Sequence, residues 1–323
     1  MRGPGGPEVL EVREVPTPEP GPGAVRVRVR AVGVNRADLL QRRGRYPAPA
    51  DSPQDILGLE YAGVVDEAGP GATRFRPGDR VMGIVGGGAY AEAVVVPESH
   101  LLPIPDGLGF EEAAAVPEAF ITAHDALFTL MGLEAGERLL VHAAGSGVGV
   151  AAIQLAREAG AEVFGTARSP WKLDRALELG LDFGVVTEGD GFADAILERT
   201  GGDGMDAILD LVGGGYLADN LRVLAPKGRM AVVGLVSGSR AELDLGLLLR
   251  KRLTLIGTAL RGRTKEEKAA ATRAFADRAL PLLAARRIRP VVDAVYPMHE
   301  APEAHRRMES NLNFGKLVLS WDA

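Results

Sequence analysis

The first hundred residues predict β-structure, most clearly where apolar and polar positions alternate with a period of two. The segment AVRVRVRAV, residues 24–32, sets valines against arginines, as expected of a strand with one face in a core and one in water. Further short strand candidates follow at 60–68, 79–85 and 90–97, each bounded by glycine and proline. The pattern predicts a compact, partly closed β-sheet or barrel.

From residue 110 onwards, short apolar runs alternate with amphipathic segments of helical length. The segment 110–131 is helical in composition and is interrupted by Pro117. The apolar runs predict buried strands at 138–143, 162–167, 182–186, 206–212, 229–234 and 254–259. The segments between them predict helices at 148–159, 171–179, 191–199, 216–224 and 243–250. This alternation indicates an α/β domain whose parallel sheet is covered on both faces.

The C-terminal segment fits neither pattern alone. It predicts a long helix at 264–287, a strand at 291–297, a helix at 300–309 and a strand at 316–321. We predict that this segment returns to complete the N-terminal domain. The chain then divides into a first part at 1–117, an inserted domain at 118–260 and a return segment at 261–323.

Composition and charge narrow the range of functions. The net charge is −6 and Lys/Arg runs are short, so neither nucleic acid nor an anionic membrane is expected as a partner. The chain has no cysteine, which excludes disulfides, thiolate nucleophiles and cysteine-ligated metal sites. The N-terminus has no apolar signal region, and no apolar run approaches the roughly 20 residues of a membrane span. We therefore expect a soluble, cytoplasmic protein.

The segment VHAAGSGVG, residues 141–149, joins the first strand of the inserted domain to its first helix. A dinucleotide-binding turn follows the pattern G-x-G-x-x-G, and alignment on Gly149 places Ala144 and Ser146 where the first two glycines are expected. The context still offers helix N–H groups and a positive dipole to a pyrophosphate. Gly147 permits close approach, and Gly149 permits close packing of the helix. The alternative is a tight turn without a ligand.

The residues after the second strand of this domain indicate which dinucleotide binds. An NAD site carries a carboxylate there, whereas this chain has Ala167, followed by Arg168, Ser169 and Lys172. Arg binds phosphate with a planar fork and Lys adds a point charge, which suits the 2′-phosphate of NADPH. The alternative is a solvated helix start with Ser169 as N-cap. The cofactor contacts predicted from the turn and this strand end are Gly145, Ser146, Gly147, Val148, Gly149, Thr166, Arg168, Ser169 and Lys172.

Segments along nearly the whole chain resemble one protein family. They are VNRADLLQRRGRYP (34–47), DILGLEYAGVV (55–65), RPGDRVMG (76–83), VPEAFITA (116–123), VHAAGSGVGVAAIQLAR (141–157), ILDLVGG (208–214) and NLNFGKLVL (311–319). The chain resembles the zinc-free quinone oxidoreductases of the medium-chain dehydrogenase/reductase superfamily. Within them it is similar to the tumour-suppressor-inducible subgroup, chiefly through NRADLLQRRGRY, PEAF and the Ser of SGVG.

The resemblance implies a fold and an assembly. A GroES-like β-rich catalytic domain would be built from both chain ends, with a Rossmann domain that binds NADPH inserted between them. The active site would lie in the cleft between the domains. The family forms homodimers, and TLIGTAL at 254–260 is a candidate sheet edge for pairing with a second subunit.

Zinc-dependent relatives hold a catalytic metal through a Cys, a His and a second Cys. The corresponding positions here are Asn35, Leu59 and about Glu118, so we expect no metal site and no Lewis-acid mechanism. The neighbouring Glu60 is expected to be a structural or cleft carboxylate. The histidines do not cluster, and His142, inside a predicted strand, is expected to be a hydrogen-bonded core residue.

The resemblance also implies roles for individual residues. Asn35 would donate to a substrate carbonyl, Tyr46 would orient the substrate or close the pocket, and Ser146 would approach the nicotinamide or its ribose. The alternatives are that Asn35 caps a helix and that Tyr46 is a packed loop aromatic. Further cofactor neighbours implied by family position are Thr122, Gly234, Leu235 and Asn313. One departure weakens the NADPH prediction: many relatives have a tyrosine beside the adenosine phosphate where this chain has Thr187.

Three functions remain open. The first is two-electron, hydride reduction of quinones by NADPH, in which the protein holds two flat rings in reactive geometry. The second is reduction of conjugated carbonyls, as an enoyl or 2-alkenal reductase. The third is a nucleotide-binding protein with little turnover and a structural or RNA-contacting role. The intact turn and the lack of a basic stripe disfavour this third function.

Overall fold

The computed structural model describes residues 1–187 and 191–323. The chain forms two compact units, Met1–Ile121 together with Leu260–Ala323, and Thr122–Ala259. We call them the outer unit and the inserted unit. The domain boundaries expected from the sequence, after residues 117 and 260, stay a prediction about where the functional domains divide.

The outer unit is built on a mostly antiparallel sheet. Its strands are β1 (Ala24–Val34), β2 (Glu60–Ala68), β3 (Arg80–Ile84), β4 (Ala93–Pro97), β5 (Leu101–Pro103), β12 (Val292–Pro297) and β13 (Lys316–Ser320). They are ordered β12-β13-β1-β2-β3-β5, and β4 pairs with β1. The alternation of β1 determines which of its faces is buried. Val25 and Val27 are fully buried, while Arg26 and Arg28, on the other face, pair with Asp66.

The C-terminal segment completes this sheet. Strand β13 runs antiparallel to β1 with Val34 opposite Leu317, and β12 lies parallel to β13. The helices of this part are α9 (Lys265–Ala284) and α10 (Ala301–Glu309). The pairing places Lys316, at the start of β13, beside the end of β1.

Short helices connect the outer strands. Helix α1 (Arg36–Arg42) follows β1 directly, and α2 (Phe110–Ala114) is followed by α3 (Pro117–His124). The break predicted at Pro117 is confirmed, because α2 ends before it and α3 begins with it. No helix formed by residues 1–187 and 191–323 is long and apolar enough to cross a bilayer.

The inserted unit carries a parallel sheet, which in the described part of the chain has six strands. They are β6 (Arg138–Val141), β7 (Glu162–Ala167), β8 (Phe183–Val186), β9 (Met205–Asp210), β10 (Leu224–Val232) and β11 (Thr254–Gly257). Their order, β11-β10-β9-β6-β7-β8, is that of a dinucleotide-binding fold. The helices are α4 (Gly147–Glu158), α5 (Pro170–Leu177), α6 (Ala193–Arg199), α7 (Leu217–Val223) and α8 (Leu245–Lys251).

The central strands of this sheet are buried on both faces. Leu139, Leu140 and Val141 of β6 are fully buried, as expected of a parallel strand covered by helices. The predicted α/β class is therefore confirmed. Strand β10 begins five residues earlier than predicted, because Leu224 already pairs with Met205 before an irregularity at Lys227, whose φ is 69°.

Candidate functional site

In the inserted unit, a tight turn joins β6 to α4. Ser146 is the N-cap of α4, and its Oγ accepts a hydrogen bond from the Gly149 N–H at 3.0 Å. The chain reverses at Ala143, which has a positive φ of 50°. The Ser146 hydroxyl oxygen thus accepts a bond from the helix, and the hydroxyl hydrogen remains for donation to a ligand.

Gly149 sets how closely this helix approaches the turn. A Cβ at this position would lie 2.5 Å from the Ala143 carbonyl oxygen and 2.8 Å from that of Ala144. Only glycine permits this approach. The first-turn N–H groups of Gly147 and Val148 have no acceptor within the helix and lie at the positive end of its dipole. The chemistry of these donors fits the pyrophosphate of a dinucleotide.

A buried hydrogen-bond network lies at the carboxyl ends of the neighbouring strands. His142 is fully buried; its Nδ1 is 2.8 Å from Thr166 Oγ1, and its Nε2 is 2.7 Å from Asn220 Oδ1. Asn220 in turn donates to Asp210 at 3.2 Å. The network satisfies His142, as expected of a core histidine, and burial lowers its pKa. It also commits the Thr166 hydroxyl to the core, so a cofactor contact by this residue stays a prediction.

Basic side chains follow β7, where an NAD site would carry a carboxylate. Arg168 is exposed, and Lys172 holds its ammonium 5.3 Å from the Trp171 ring centroid. Ser169 stands at the N-cap position of α5, with Pro170 next, but its side chain makes no capping hydrogen bond. The alternative, a helix start with Ser169 as N-cap and Pro170 as first helical residue, is therefore met by position, but without a side-chain cap bond.

Two more predicted positions, Gly234 and Leu235, follow the end of β10. A Cβ on Gly234 would lie 2.5 Å from the Leu211 carbonyl oxygen, and Leu235 is 56% exposed. Thr187, expected from the sequence to stand where many relatives have a tyrosine, accepts a hydrogen bond from the Tyr216 hydroxyl at 2.8 Å. The Tyr216 ring, from another segment of the chain, therefore lies beside this position.

In the outer unit, polar side chains gather around Glu60. This carboxylate is fully buried and accepts hydrogen bonds from Asn35 Nδ2 at 2.9 Å and from the Glu118 N–H at 2.8 Å. It forms an ion pair with Lys316 at 2.6 Å, and Lys316 also donates to Asn35 Oδ1 at 2.6 Å. Of the two roles expected for Glu60, structural or cleft carboxylate, the structural one agrees with this arrangement.

The Asn35 side chain consequently connects Glu60 of β2 with Lys316 of β13. Its amide hydrogens go to Glu60 and to the Gly33 carbonyl, 3.2 Å away, and its oxygen accepts from Lys316. It stands at the N-cap position of α1 without a side-chain cap bond, because its side chain turns toward β2 and β13. To donate to a substrate carbonyl, as predicted, it would have to release one of these bonds.

A second buried chain of hydrogen bonds supports α1. Asp38 accepts from the Asn35 N–H at 2.8 Å and from the Tyr90 hydroxyl at 3.3 Å. The Tyr90 hydroxyl is 3.1 Å from His305 Nε2, and Arg42 donates to His305 Nδ1. Because Arg42 can only donate, the His305 proton must lie on Nε2. Burial raises the pKa of Asp38 to about 6, whereas burial and Arg42 lower the pKa of His305 to about 3.

Tyr46 is held by a residue from the C-terminal segment. The guanidinium of Arg261 lies 5.1 Å from the Tyr46 ring centroid and donates to the Tyr46 carbonyl at 3.2 Å. Arg261 is 4% exposed and also donates to Gly86 and Gln41. Tyr46 is thus more than a loop aromatic packing on its own, and burial raises the pKa of its hydroxyl.

The remaining predicted positions are placed as follows. Asn313 is buried and donates to the Gly315 carbonyl at 3.0 Å, and Thr122 is half-buried within α3. Within residues 1–187 and 191–323, no three His, Asp or Glu side chains are grouped as metal ligands. The roles of all these residues toward cofactor and substrate stay predictions.

Sequence reasoning missed Lys316, Asp38 and Arg261. The signal for Lys316 was a lysine at the start of the apolar run KLVLS, since a buried strand begins with a cation only when a partner is present. Asp38 and Arg42, four residues apart in a seven-residue helix, were a similar signal. Arg261 gave none.

Two family models match the chain. The alcohol dehydrogenase GroES-like domain matches residues 21–106, and the zinc-binding dehydrogenase model matches residues 147–277. The first therefore covers most of the outer unit's N-terminal part, and the second starts at the first residue of α4.

Curated relatives are of two kinds. Erythronolide synthase EryA2 of Saccharopolyspora erythraea is 38% identical over 91% of this chain, but the chain spans only 8% of that protein's length. The quinone oxidoreductase of Pseudomonas aeruginosa is 36% identical over 98% of this chain and 96% of that protein.

Solved structures match over the whole chain. An NAD-dependent alcohol dehydrogenase has a TM-score of 0.88 at 38% identity, covering 99% of this chain and 98% of its own. Escherichia coli quinone oxidoreductase complexed with NADPH has a TM-score of 0.87 at 30% identity, with coverages of 98% and 97%. CurK enoyl reductase has a TM-score of 0.88 at 28% identity, covering 99% of this chain and 97% of its own. The chain belongs to the medium-chain dehydrogenase/reductase superfamily, among its quinone oxidoreductase-like members.

Proposed function

We propose that this protein is an NADPH-dependent quinone reductase that works without a metal. The observation that carries the proposal is the turn at 145–149, built as a phosphate-binding helix start, with basic residues rather than a carboxylate after β7. Relatives of matching length, from Pseudomonas aeruginosa, rat and human, are named quinone oxidoreductases. Membership of the tumour-suppressor-inducible subgroup is part of the proposal and rests on NRADLLQRRGRY, PEAF and the Ser of SGVG.

NADPH is assigned to residues of the inserted unit. The N–H groups at Gly147 and Val148 would bind the pyrophosphate, and Arg168, Ser169 and Lys172 would bind the 2′-phosphate. The uncapped Ser169 hydroxyl and the exposed Arg168 support this assignment. Gly145, Gly149, Thr122, Thr166, Gly234, Leu235 and Asn313 are the further proposed neighbours of the coenzyme.

Asn35, Tyr46 and Ser146 are the proposed substrate-side residues. When bound, the nicotinamide supplies the hydride. Tyr46, oriented by Arg261, would set the plane of the substrate ring, and Asn35 would present its amide to a carbonyl. Ser146 would donate its hydroxyl hydrogen to the nicotinamide or its ribose.

The metal-free part of the proposal is supported by charge. The Lys316 ammonium lies 2.6 Å from both Asn35 Oδ1 and Glu60 Oε1. A divalent cation beside a buried ammonium would be strongly repelled. Asn35, Leu59 and Glu118 also replace the Cys, His and Cys of zinc-dependent relatives.

Reduction of conjugated carbonyls is the second candidate. It is favoured by the match to an enoyl reductase structure and by the Glu118 carboxyl, which is half-buried and engaged by no other side chain of the described residues. Both candidates use the same coenzyme and differ in whether the hydride goes to a quinone or to an alkene β-carbon.

One assay separates the candidates. NADPH oxidation is followed with an ortho-quinone, a para-quinone and a 2-alkenal side by side. The proposal expects turnover of a quinone with one NADPH consumed per two-electron reduction. Faster turnover of the 2-alkenal than of both quinones would favour the second candidate, and NADPH binding without any turnover would favour a nucleotide-binding protein.

We also propose a homodimer formed through β11. This strand is at the edge of the sheet, and its residues Leu255 and Ile256 are only half-buried. The exposed Leu245 and Leu249 of α8 lie shortly before it in the sequence. Sedimentation equilibrium tests this: a monomer at micromolar concentration would contradict it.

A further inference from the structure

The Glu118 side chain has no hydrogen-bond partner among the described residues, although its backbone joins the hydrogen-bonded cluster of Glu60, Asn35 and Lys316. Its backbone N–H is held by Glu60, the same carboxylate that binds Asn35 and Lys316. The Glu118 carboxyl itself has no hydrogen bond or ion pair among the described residues, and the side chain is half-buried. Glu60 therefore links the Glu118 backbone to the Asn35 side chain, and no described residue binds the partly exposed Glu118 carboxyl.

The charges around Glu118 favour its neutral, protonated form. The groups that interact electrostatically with its carboxyl are Glu60, Asp38, Lys316, Arg261, Tyr46 and Lys268. Burial, followed by the Glu60 carboxylate, raises the pKa of Glu118 to about 8, and the cations Lys316 and Arg261 oppose this only in part. Near neutral pH the side chain is therefore a carboxylic acid that can give up a proton.

We propose that Glu118 is the general acid of the reaction, donating its proton to the carbonyl oxygen of the substrate. This rests on the proposed function, since it requires a carbonyl substrate beside Asn35 and Tyr46. The substrate gains two electrons with the hydride; its carbonyl oxygen then forms an O–H bond as the Glu118 O–H bond breaks. Glu118 is left as a carboxylate and takes a proton from water before the next turnover.

The importance of Glu118 depends on the basicity of the oxygen. A quinone becomes a hydroquinone anion, whose charge is delocalised over an aromatic ring and which water can protonate. A 2-alkenal becomes an enolate, which is more basic and benefits more from a positioned acid. Glu118 therefore extends the reaction to conjugated carbonyls.

The test compares the wild type with E118Q and with the matched control E14Q, which changes an exposed glutamate. Infrared spectroscopy of the coenzyme-free proteins is the first readout. The wild type and E14Q should show a protonated carboxyl that titrates near pH 8, and E118Q should lack it. This readout does not depend on enzyme activity. The wild-type titration can also be measured if E118Q fails to fold.

Steady-state rates are the second readout. E118Q should reduce a 2-alkenal about 100- to 1,000-fold more slowly than the wild type, but a quinone less than about tenfold more slowly. The wild-type rate with the 2-alkenal should fall above about pH 8, and the E118Q rate should be independent of pH there.

The outcomes distinguish two failures. A wild type that transfers no hydride to either substrate overturns the proposed function, and with it this role. An active wild type whose carboxyl does not titrate near pH 8, or whose rate and pH profile E118Q retains, overturns the role of Glu118 alone.

Discussion

Lys316 and Glu60 form a buried ion pair at 2.6 Å, in which both side chains are almost completely removed from solvent. Lys316 begins the last strand and Glu60 begins β2, so the pair ties the C-terminal segment to the N-terminal sheet. Asn35 binds both partners and thereby takes its orientation from them. The most distant parts of the chain are thus joined at the residues proposed to bind substrate.

Removal of the Lys316 charge should be costly. K316M leaves the Glu60 carboxylate buried without its cation, and we expect the free energy of unfolding to fall by about 3–5 kcal/mol. The double variant E60Q/K316M should recover part of this loss. The control R222M breaks surface ion pairs with Asp194 and Asp219 and should cost about 0–1 kcal/mol. Urea unfolding measures all three; equal losses for K316M and R222M would contradict the account.

Gly149 should resist substitution by alanine. The added Cβ would meet the Ala143 carbonyl oxygen at 2.5 Å, so G149A should destabilise the protein by about 1–3 kcal/mol and weaken NADPH binding by roughly tenfold or more. The control is G246A, also in the first turn of a helix, where the nearest atoms are the side-chain ends of Arg250 and of the N-cap Asp244 at 3.1 Å. Alanine there should change the free energy of unfolding by less than about 1 kcal/mol in either direction. An unchanged NADPH affinity in G149A would contradict the claim that this turn binds the coenzyme.

The basic residues after β7 should select the phosphorylated coenzyme. The double variant R168A/K172A should raise the Kd for NADPH about 10- to 100-fold, because charge-assisted bonds to phosphate are lost, while the Kd for NADH changes less than about threefold. The control R250A removes an exposed cation from α8 of the same unit. Isothermal titration gives both constants, and a parallel weakening of the two coenzymes would refute the 2′-phosphate assignment.

Acid should destabilise the protein through its buried histidines. The folded state lowers the pKa of His305 from 6.5 to about 3, so its contribution to stability is complete above pH 6.5 and is lost as the pH falls from there toward 3. In that window each such histidine adds about 1.4 kcal/mol per pH unit to the slope. H305Q should therefore show a shallower dependence of the unfolding free energy on pH. The exposed His299 supplies the control H299Q; equal slopes for the two variants would be contrary to expectation.

The sequence was sufficient to predict those strands whose burial shows in a local pattern of apolar residues. The alternation of β1 and the apolar runs of β6, β7 and β9 predicted strands that the structure contains, because these residues are buried by the strand geometry itself. The start of β10 was missed, since its first residues precede an irregularity and do not continue the apolar run.

The polar cluster was less accessible to sequence reasoning. Asn35 was singled out, but its partner Lys316 lies 281 residues further along the chain, and no local pattern joins them. Sequence periodicity reports which face of an element is buried, whereas a buried ion pair depends on how β13 returns to β1. Tyr46 and Arg261, 215 residues apart, show the same limit.

The central claim is that the turn at 145–149 seats a reduced nicotinamide coenzyme and that the residues after β7 select its phosphorylated form. Titration of the coenzyme-free protein with NADPH and with NADH, followed by coenzyme fluorescence and by the melting temperature, tests it most directly. We predict saturable binding, a Kd for NADPH at least about tenfold below that for NADH, and stabilisation by about 2.7 kcal/mol at a hundredfold excess over Kd. No fluorescence change and no thermal shift with either coenzyme would contradict the claim.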